Sequence, residues 1–560
     1  MNGKLWMVIV LLLNAANGVM ADTTWVAAGN VWGEWTANHS PFIIQGDVHV
    51  PGGQTLIIGA GVRVYFDSLA ALEVNNLGNF AANGALGDSV VFTTNPERNP
   101  SRWRGIIAHH PADTVRLSYC VIENMKRDST LMEDDSIAHQ AALLVEEGPG
   151  LNLSHSSLRN NYGSGFGGAL EVEQGLATIS ECTFSGNRGG YGSAACLRCS
   201  ADIEACLFEN NFSWGGGAVY VCHGNIESSM SDCTFRDNYA FSDAGIGGGA
   251  IGHHAGVLHV TECSFLGDSL WQSFSSPWGG GAICSGIDFP EEPESLIATR
   301  CLFVNNQSAR FGGAISIENG SIINCTVVGA ASSNGGGAIF THASVPEDTV
   351  RIINTIVAHS RQGCGIQTYL RTGPIRHCLV FGTPGRAFAV SDSLMGRMRQ
   401  TNTNGDSCDV YENLLLDPEF ADTAAGDYHL TAGSPCIDAG DTTSPPDSDG
   451  TVADIGAFYF EHHLTTDRTF ILHPSAFRLS SYPNPFNPST MLAFSLPTPS
   501  AVALTVFDIL GRVAYQKNLG RMEAGEYRQP FDGSALPSGV YFACIQAGNA
   551  ARVMKIVLMK

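Results

Sequence analysis

Basic residues are scarce in this sequence: 30 Lys and Arg stand against 53 Asp and Glu, a formal net charge of −23. That balance argues against nucleic acid and anionic membrane surfaces as partners. It leaves divalent cations, cationic groups and neutral glycans open. Long apolar runs are also missing. Beyond the N-terminal stretch, nothing is long and apolar enough to span a bilayer. Helical spacing is the third absence. In the long middle section apolar residues alternate singly between Gly, Asn and Ser, which is strand and turn chemistry.

What is abundant is glycine, 64 residues of 560, and much of it belongs to a recurring phrase. The first half of the phrase, C-x-F-x-x-N, begins at Cys182, Cys206, Cys233 and Cys301, with worn copies at Cys263 and Cys325. The second half, G-G-A-I, places alanines at 169, 194, 218, 250, 282, 314 and 338. Subtracting these numbers gives steps of 25, 24, 32, 32, 32 and 24. A period in that range signals a solenoid. A step of 24 residues suits three short strands and three bends, one coil of a parallel β-helix. Longer coils, such as the one holding Trp271 to Trp278, should bulge as loops. The alternation predicts Leu170/Val172, Val219/Val221 and Ile315/Ile317 inward, together with the Cys and Phe of each first half. Stacked coils then turn repeated letters into columns: a thiol ladder, an aromatic stack and an amide ladder, with glycine supplying the bends.

The remaining chain divides around this array. Residues 1–21 read as a signal peptide: Lys4, an apolar core from Leu5 to Leu13, and Val19-Met20-Ala21 before the cleavage point. Residues 22–40, with Trp25, Trp32 and Trp35, are expected to cap the open end, where exposed strand edges invite aggregation. The solenoid is expected over 41–390, with a polar loop at 126–140 and a closing segment at 391–460. A linker at 461–476 leads to a last unit, 477–560, whose strands of five to seven residues between turn signals imply a small β-sandwich. The residues therefore give an all-β chain, a parallel β-helix solenoid followed by a small C-terminal β-sandwich. Six of the sixteen cysteines sit at one inward repeat position, which favours buried thiols over disulfides.

Several stretches resemble known families. Ile43 to Val50 and Gly61 to Phe66 resemble the opening coils of extracellular right-handed β-helix proteins of the pectate-lyase-like kind. The G-G-A-I and F-x-x-N words from Gly167 to Ile339 resemble the repeats of chlamydial polymorphic outer-membrane proteins, which implies an adhesin-like rod. Asp417-Pro418-Glu419-Phe420, Ser434-Pro435-Cys436-Ile437-Asp438-Ala439-Gly440 and Asp454-Ile455-Gly456-Ala457 resemble the closing segment of bacterial surface β-helices. Tyr482-Pro483-Asn484-Pro485-Phe486-Asn487-Pro488, Asp508-Ile509-Leu510-Gly511-Arg512 and Ser538-Gly539-Val540-Tyr541 resemble the type A sorting domain of the type IX secretion system. That resemblance implies recognition of 477–560 by the secretion machinery and export across the outer membrane, to the cell surface or the medium. For the all-β fold, resemblance to these families implies a right-handed parallel β-helix solenoid followed by a small C-terminal immunoglobulin-like β-sandwich.

Chemistry is harder to find. Two residues after each repeat alanine, an outward column runs Glu171, Cys196, Tyr220, Gly252, Cys284, Ser316, Phe340. Four residues after, it runs Glu173, Arg198, Cys222, His254, Gly286, Glu318, His342. A β-helix polysaccharide lyase needs clustered carboxylates beside a base, and a glycoside hydrolase needs paired acids about 5–9 Å apart. Glu171, Glu173 and Arg198 are the best constellation for either. Solvated acidic pairs at this spacing are common, so a non-catalytic rod contacting glycans or other cells is the leading expectation. Asp447, Asp449 and Asp454 resemble the opening of a calcium loop, although the terminal bidentate Glu is missing. Cys196-x-x-Cys199 has metal or redox spacing without a second pair, and the neighbouring histidines at 109–110 and 253–254 face opposite ways on a strand. Structural roles are the simpler reading for these.

Overall fold

The computed structural model describes residues 23–67, 69–97, 102–127, 140–222, 226–242, 247–272, 279–286, 294–333, 336–342, 349–369, 373–462, 479–482, 486–496, 499–508, 512–548 and 550–558. The leader expected over 1–21 lies outside these residues, as do most of the expected loop at 126–140, the Trp278 end of the expected bulge and the linker from 463 onward. The chain forms two compact units that divide between His462 and His463.

The first unit is a stack of coils. Three parallel sheets of 14, 14 and 13 strands run its length, and a fourth of eight strands runs along its middle. One coil shows the plan. Thr183–Ser185 lies in sheet 1, Arg188–Tyr191 in sheet 4, Ala195–Leu197 in sheet 2 and Ser200–Glu204 in sheet 3. The next coil starts directly beneath, with Phe184 paired to Phe208. The middle coils thus have four strands where three were expected. The stretch between the ladder Asn and the glycines is long enough to go extended and pair.

The columns form as the period requires. Phe184, Phe208, Phe235, Phe265 and Phe303 are fully buried, with neighbouring rings stacked 4.6–4.9 Å apart within 8° of parallel. Cys182, Cys206, Cys233, Cys263, Cys301 and Cys325 are buried free thiols in one inward column. Each of these thiols donates to the carbonyl two residues before it, and Cys206 Sγ also accepts the Cys182 N–H at 3.4 Å. Ser156 and Thr355 take the same slot in other coils, receiving the Cys120 and Cys325 N–H groups. The slot therefore demands a small side chain that both accepts and donates.

Glycine alone does not make the bends. The corner before each ladder cysteine is a left-handed residue with φ of 50–54°: Glu181, Ala205, Asp232, Glu262, Arg300 and Asn324. Each costs roughly 1–2 kcal/mol relative to the right-handed form, which the hydrogen-bonded slot beside it offsets.

The start of the array differs from expectation. Thr24–Val26, Gly29–Asn30 and Gly33–Trp35 are the first strands of the three long sheets, so residues 24–35 form the first coil and not a separate cap. Trp35 is buried and stacks on Phe42, while Trp25 and Trp32 are exposed. At the other end, Asn413 and Leu414 continue the edge of sheet 1: Leu414 N–H donates to Cys378 O, and Asn413 Oδ1 accepts the Cys378 N–H. The closing segment then doubles back along the outside of sheet 1. Cys436, Ala439 and Ile455 pack on the outward faces of Ile356, Ala358 and Leu379.

The second unit has an antiparallel sheet of Leu479–Tyr482, Ser489–Leu496 and Gly525–Asp532. Its other sheet joins Val513–Met522, Ser500–Asp508, Gly539–Ala547 and Ala550–Leu558. Both contribute to one core, including Leu492, Phe494, Leu504, Val506, Phe531, Ile545 and Ile556.

Candidate functional site

The outward face of sheet 2 carries the candidate acids. Here strand alternation misleads, because the middle residue of each strand is buried as fully as its neighbours. Glu171, Cys196, Tyr220, Cys284, Ser316 and Phe340 are all sealed from solvent. Glycine-rich runs lie across them. A Cβ on Gly216 would sit 2.6 Å from the Tyr220 ring, and one on Gly252 would sit 2.6 Å from Gly216 O. These glycines thus allow close approach of one layer to another, a use the repeat phrase did not reveal. Glu171 is consequently covered, in register with Cys196. Glu173 and Arg198 are brought together: Arg198 Nη1 lies 3.4 Å from Glu173 Oε1, and its guanidinium rests over Phe166 at 5.6 Å. One coil-to-coil step away, His109 meets Glu146 at 2.5 Å. Both acids on this edge therefore have a partner on an adjacent coil.

The aspartates of the closing segment are engaged differently. Asp447 is buried; Arg300 Nη2 donates to its Oδ1 at 3.1 Å, and the Asp454 N–H donates to its Oδ2 at 2.6 Å. Asp454 accepts the Asp438 N–H on Oδ1 and the Phe460 N–H on Oδ2. Asp449 accepts from Thr451 on Oδ1 and from the His462 N–H on Oδ2. All six oxygens face protein donors. Burial pushes Asp454 up to about 6 and raises Asp447 in spite of Arg300. The arrangement ties the returning segment to the rod. Among the described residues no group of three His, Cys, Asp or Glu is gathered to hold a metal.

Cys199 faces the interior, whereas Cys196 belongs to an outer cluster with Tyr220 and Cys222, so the two do not converge. His253 is buried, with Nδ1 2.8 Å from Ser285 Oγ and Nε2 3.0 Å from Ala255 O, and burial pulls it down to about 4. His110 lies 3.3 Å from Glu147.

Sequence reasoning missed the outer face of sheet 4. Its strands place Lys126, Tyr162, Arg188, Phe212 and Tyr239 in one column across successive coils. Two residues on, a second column holds Trp214, Phe241 and Trp271. Phe212 stacks on Tyr239 at 5.5 Å, Trp214 meets Phe212 and Phe241 edge-on, and Arg188 lies 5.9 Å from the Phe212 centroid. Trp214 and Trp271 remain 58% and 55% exposed. A signal existed: the ladder position is followed by Asn211-Phe212-Ser213-Trp214, Asn238-Tyr239-Ala240-Phe241 and Asp268-Ser269-Leu270-Trp271. It fell between the two halves of the repeat phrase.

Comparison with known families agrees with this architecture. Residues 104–265 match the right handed beta helix region, and residues 300–318 match the Chlamydia polymorphic membrane protein repeat. Residues 480–559 match the secretion system C-terminal sorting domain. No curated protein matches the chain. The class is thus an all-β, right-handed parallel β-helix. With its sorting domain, this is a protein exported across the outer membrane, to the cell surface or into the medium. No helix among the described residues is long and apolar enough to cross a membrane.

Proposed function

We propose that this exported protein is a non-catalytic binding rod that contacts glycans or other cells through its flank. The observation that carries the reading is the row of half-exposed aromatic rings on sheet 4. Trp and Tyr offer large, rigid, amphipathic contact surfaces at low entropic cost, and a β-helix holds them on a stiff frame outside the cell. The pairing of Arg198 with Glu173 and the burial of Glu171 support the same reading, since an acid–base pair for lyase or hydrolase chemistry must be able to reach a substrate. The test is to present the purified protein to a polysaccharide panel and to cells, following binding and product release together. Binding with no new reducing ends or unsaturated products is expected. Release of either product overturns the reading in favour of a polysaccharide lyase or glycoside hydrolase.

A further inference from the structure

We infer that the aromatic face of sheet 4 is a binding site for an extended, neutral polysaccharide lying along the rod axis; this rests on the binding-rod reading above. The geometry comes first. The column from Lys126 to Ser269 crosses six coils, a length of about 24 Å at strand spacing. A chain running with the axis meets a new side chain at every coil, at a step close to the length of one sugar ring. Two such columns, side by side, make a track and not a pocket.

The chemistry follows. Sugar rings present C–H groups on their flat faces, and these carry the partial positive charge that the negative face of an aromatic ring attracts. Trp214 and Trp271 offer exposed rings for this, two coils apart, with Phe241 between them. Sugar hydroxyls need donors and acceptors at the edges of such a track. Lys126, Arg188, Ser269, Gln307 and the Tyr162 and Tyr239 hydroxyls stand in the same column. A broad protein interface would instead want a compact apolar centre with a polar rim, whereas here rings and polar groups share one line.

Charge selects among saccharides. The net charge of −23 repels a polyanion on approach. Lys126, 5.7 Å from the Tyr162 centroid, and Arg188, 5.9 Å from the Phe212 centroid, are two cations against that net charge. A neutral chain carries no such penalty and can use the same cations as hydrogen-bond donors.

The test uses the full-length secreted protein, a set of neutral β-linked glucan and mannan oligosaccharides of increasing length, and a polyuronate of matched length. Intrinsic tryptophan fluorescence and calorimetry read the binding. Affinity is expected to climb with chain length until the track is filled. Trp214→Ala with Trp271→Ala should weaken binding about tenfold or more, while Trp214→Phe with Trp271→Phe should retain most of it. Both ring sites are exposed, and an unchanged melting midpoint checks that the variants are folded. Unaltered affinity in the double alanine variant overturns the inference and leaves the binding-rod reading standing. Preference for the polyuronate over every neutral chain, or binding of a protein in place of any saccharide through these tryptophans, also overturns it. Failure of the wild type to bind any saccharide or cell removes the reading beneath it.

Discussion

Asn238 donates both its side-chain amide and its backbone N–H to a single atom, Asp268 Oδ1, at 2.8 and 2.9 Å. The contact belongs to a ladder, Asn161, Asn187, Asn211, Asn238, Asp268, Asn306, in which each Asn Nδ2 also donates to a carbonyl of the coil above, as Asn238 does to Phe208 O and Asn306 to Phe265 O. At Asp268 an oxygen, Oδ2, stands where those donors stand, and among the described residues it has no hydrogen-bond partner. A proton on Oδ2 would supply the missing donor. Burial is the main reason this carboxyl is pushed up to about 7, with Asp237 adding to the rise and Asn238 opposing it.

The sign of the pH dependence follows. The folded value near 7 lies above the ordinary value of 3.8, so this group's contribution is fully present below about pH 3.8 and is lost as pH rises to about 7. Asp268→Asn places an amide in an amide slot and should abolish that slope. At pH 8 the variant should be more stable by on the order of 4 kcal/mol. Calorimetric melting of both proteins from pH 4 to pH 8 checks this. Parallel pH profiles would show that Asp268 does not hold a proton.

Phe208 lies between Phe184 and Phe235, with centroids 4.9 and 4.7 Å away. Phe208→Ala removes buried surface and leaves a void that its neighbours, fixed by their own coils, cannot close. The expected loss is about 3–5 kcal/mol, read from denaturant midpoints. A loss near zero would mean the stack does not bear load.

The thiol ladder should be chemically silent. Burial pushes Cys120 and Cys378 up to about 12 and raises Cys301 well above its ordinary range, so thiolate is scarce at these positions, and every thiol of the ladder is shut off from solvent. Iodoacetamide should leave Cys206 and Cys301 unmodified in the native protein and alkylate both after denaturation, as peptide masses will show. Cys206→Ser should be mild, because Ser156 already fills that slot. Cys206→Val should cost about 1–3 kcal/mol by stranding the Cys182 N–H.

These ladders were legible because a solenoid stacks identical letters on one another, so a period in the sequence is a column in space. Phe184 and Phe208 needed only the repeat step to be paired. The buried outer layer was not legible in the same way. Glu171 is covered by backbone from glycine runs, which leave no side-chain pattern to read. The docking of Asp447 on Arg300 spans 147 residues and has no period at all. Phe212, Trp214 and Trp271 did repeat, but in a stretch whose length varies from coil to coil, so no fixed period marks them.

That docking gives a test of the calcium-loop resemblance. If the carboxylates at 447, 449 and 454 serve the closing segment, chelator should leave the melting midpoint unchanged. Arg300→Ala should lower it, because Asp447 would then be buried beside fewer donors. A midpoint that falls with chelator and recovers with added calcium would instead assign the loop to the metal.

The last prediction concerns the sorting domain. The rod and the sandwich have separate cores, one built from stacked coils and the other around Phe494, Leu504 and Phe531. Neither core needs residues of the other to bury its apolar surface, so each should fold alone. Deleting residues 477–560 should therefore leave a folded rod inside the outer membrane, while the intact chain reaches the surface or the medium. Fractionation of a native host making each form checks the location, and protease resistance of the retained rod checks its folding. A truncated rod found outside in normal amounts would break the link between this unit and export. A truncated rod that is degraded because it cannot fold would break the independence of the two cores.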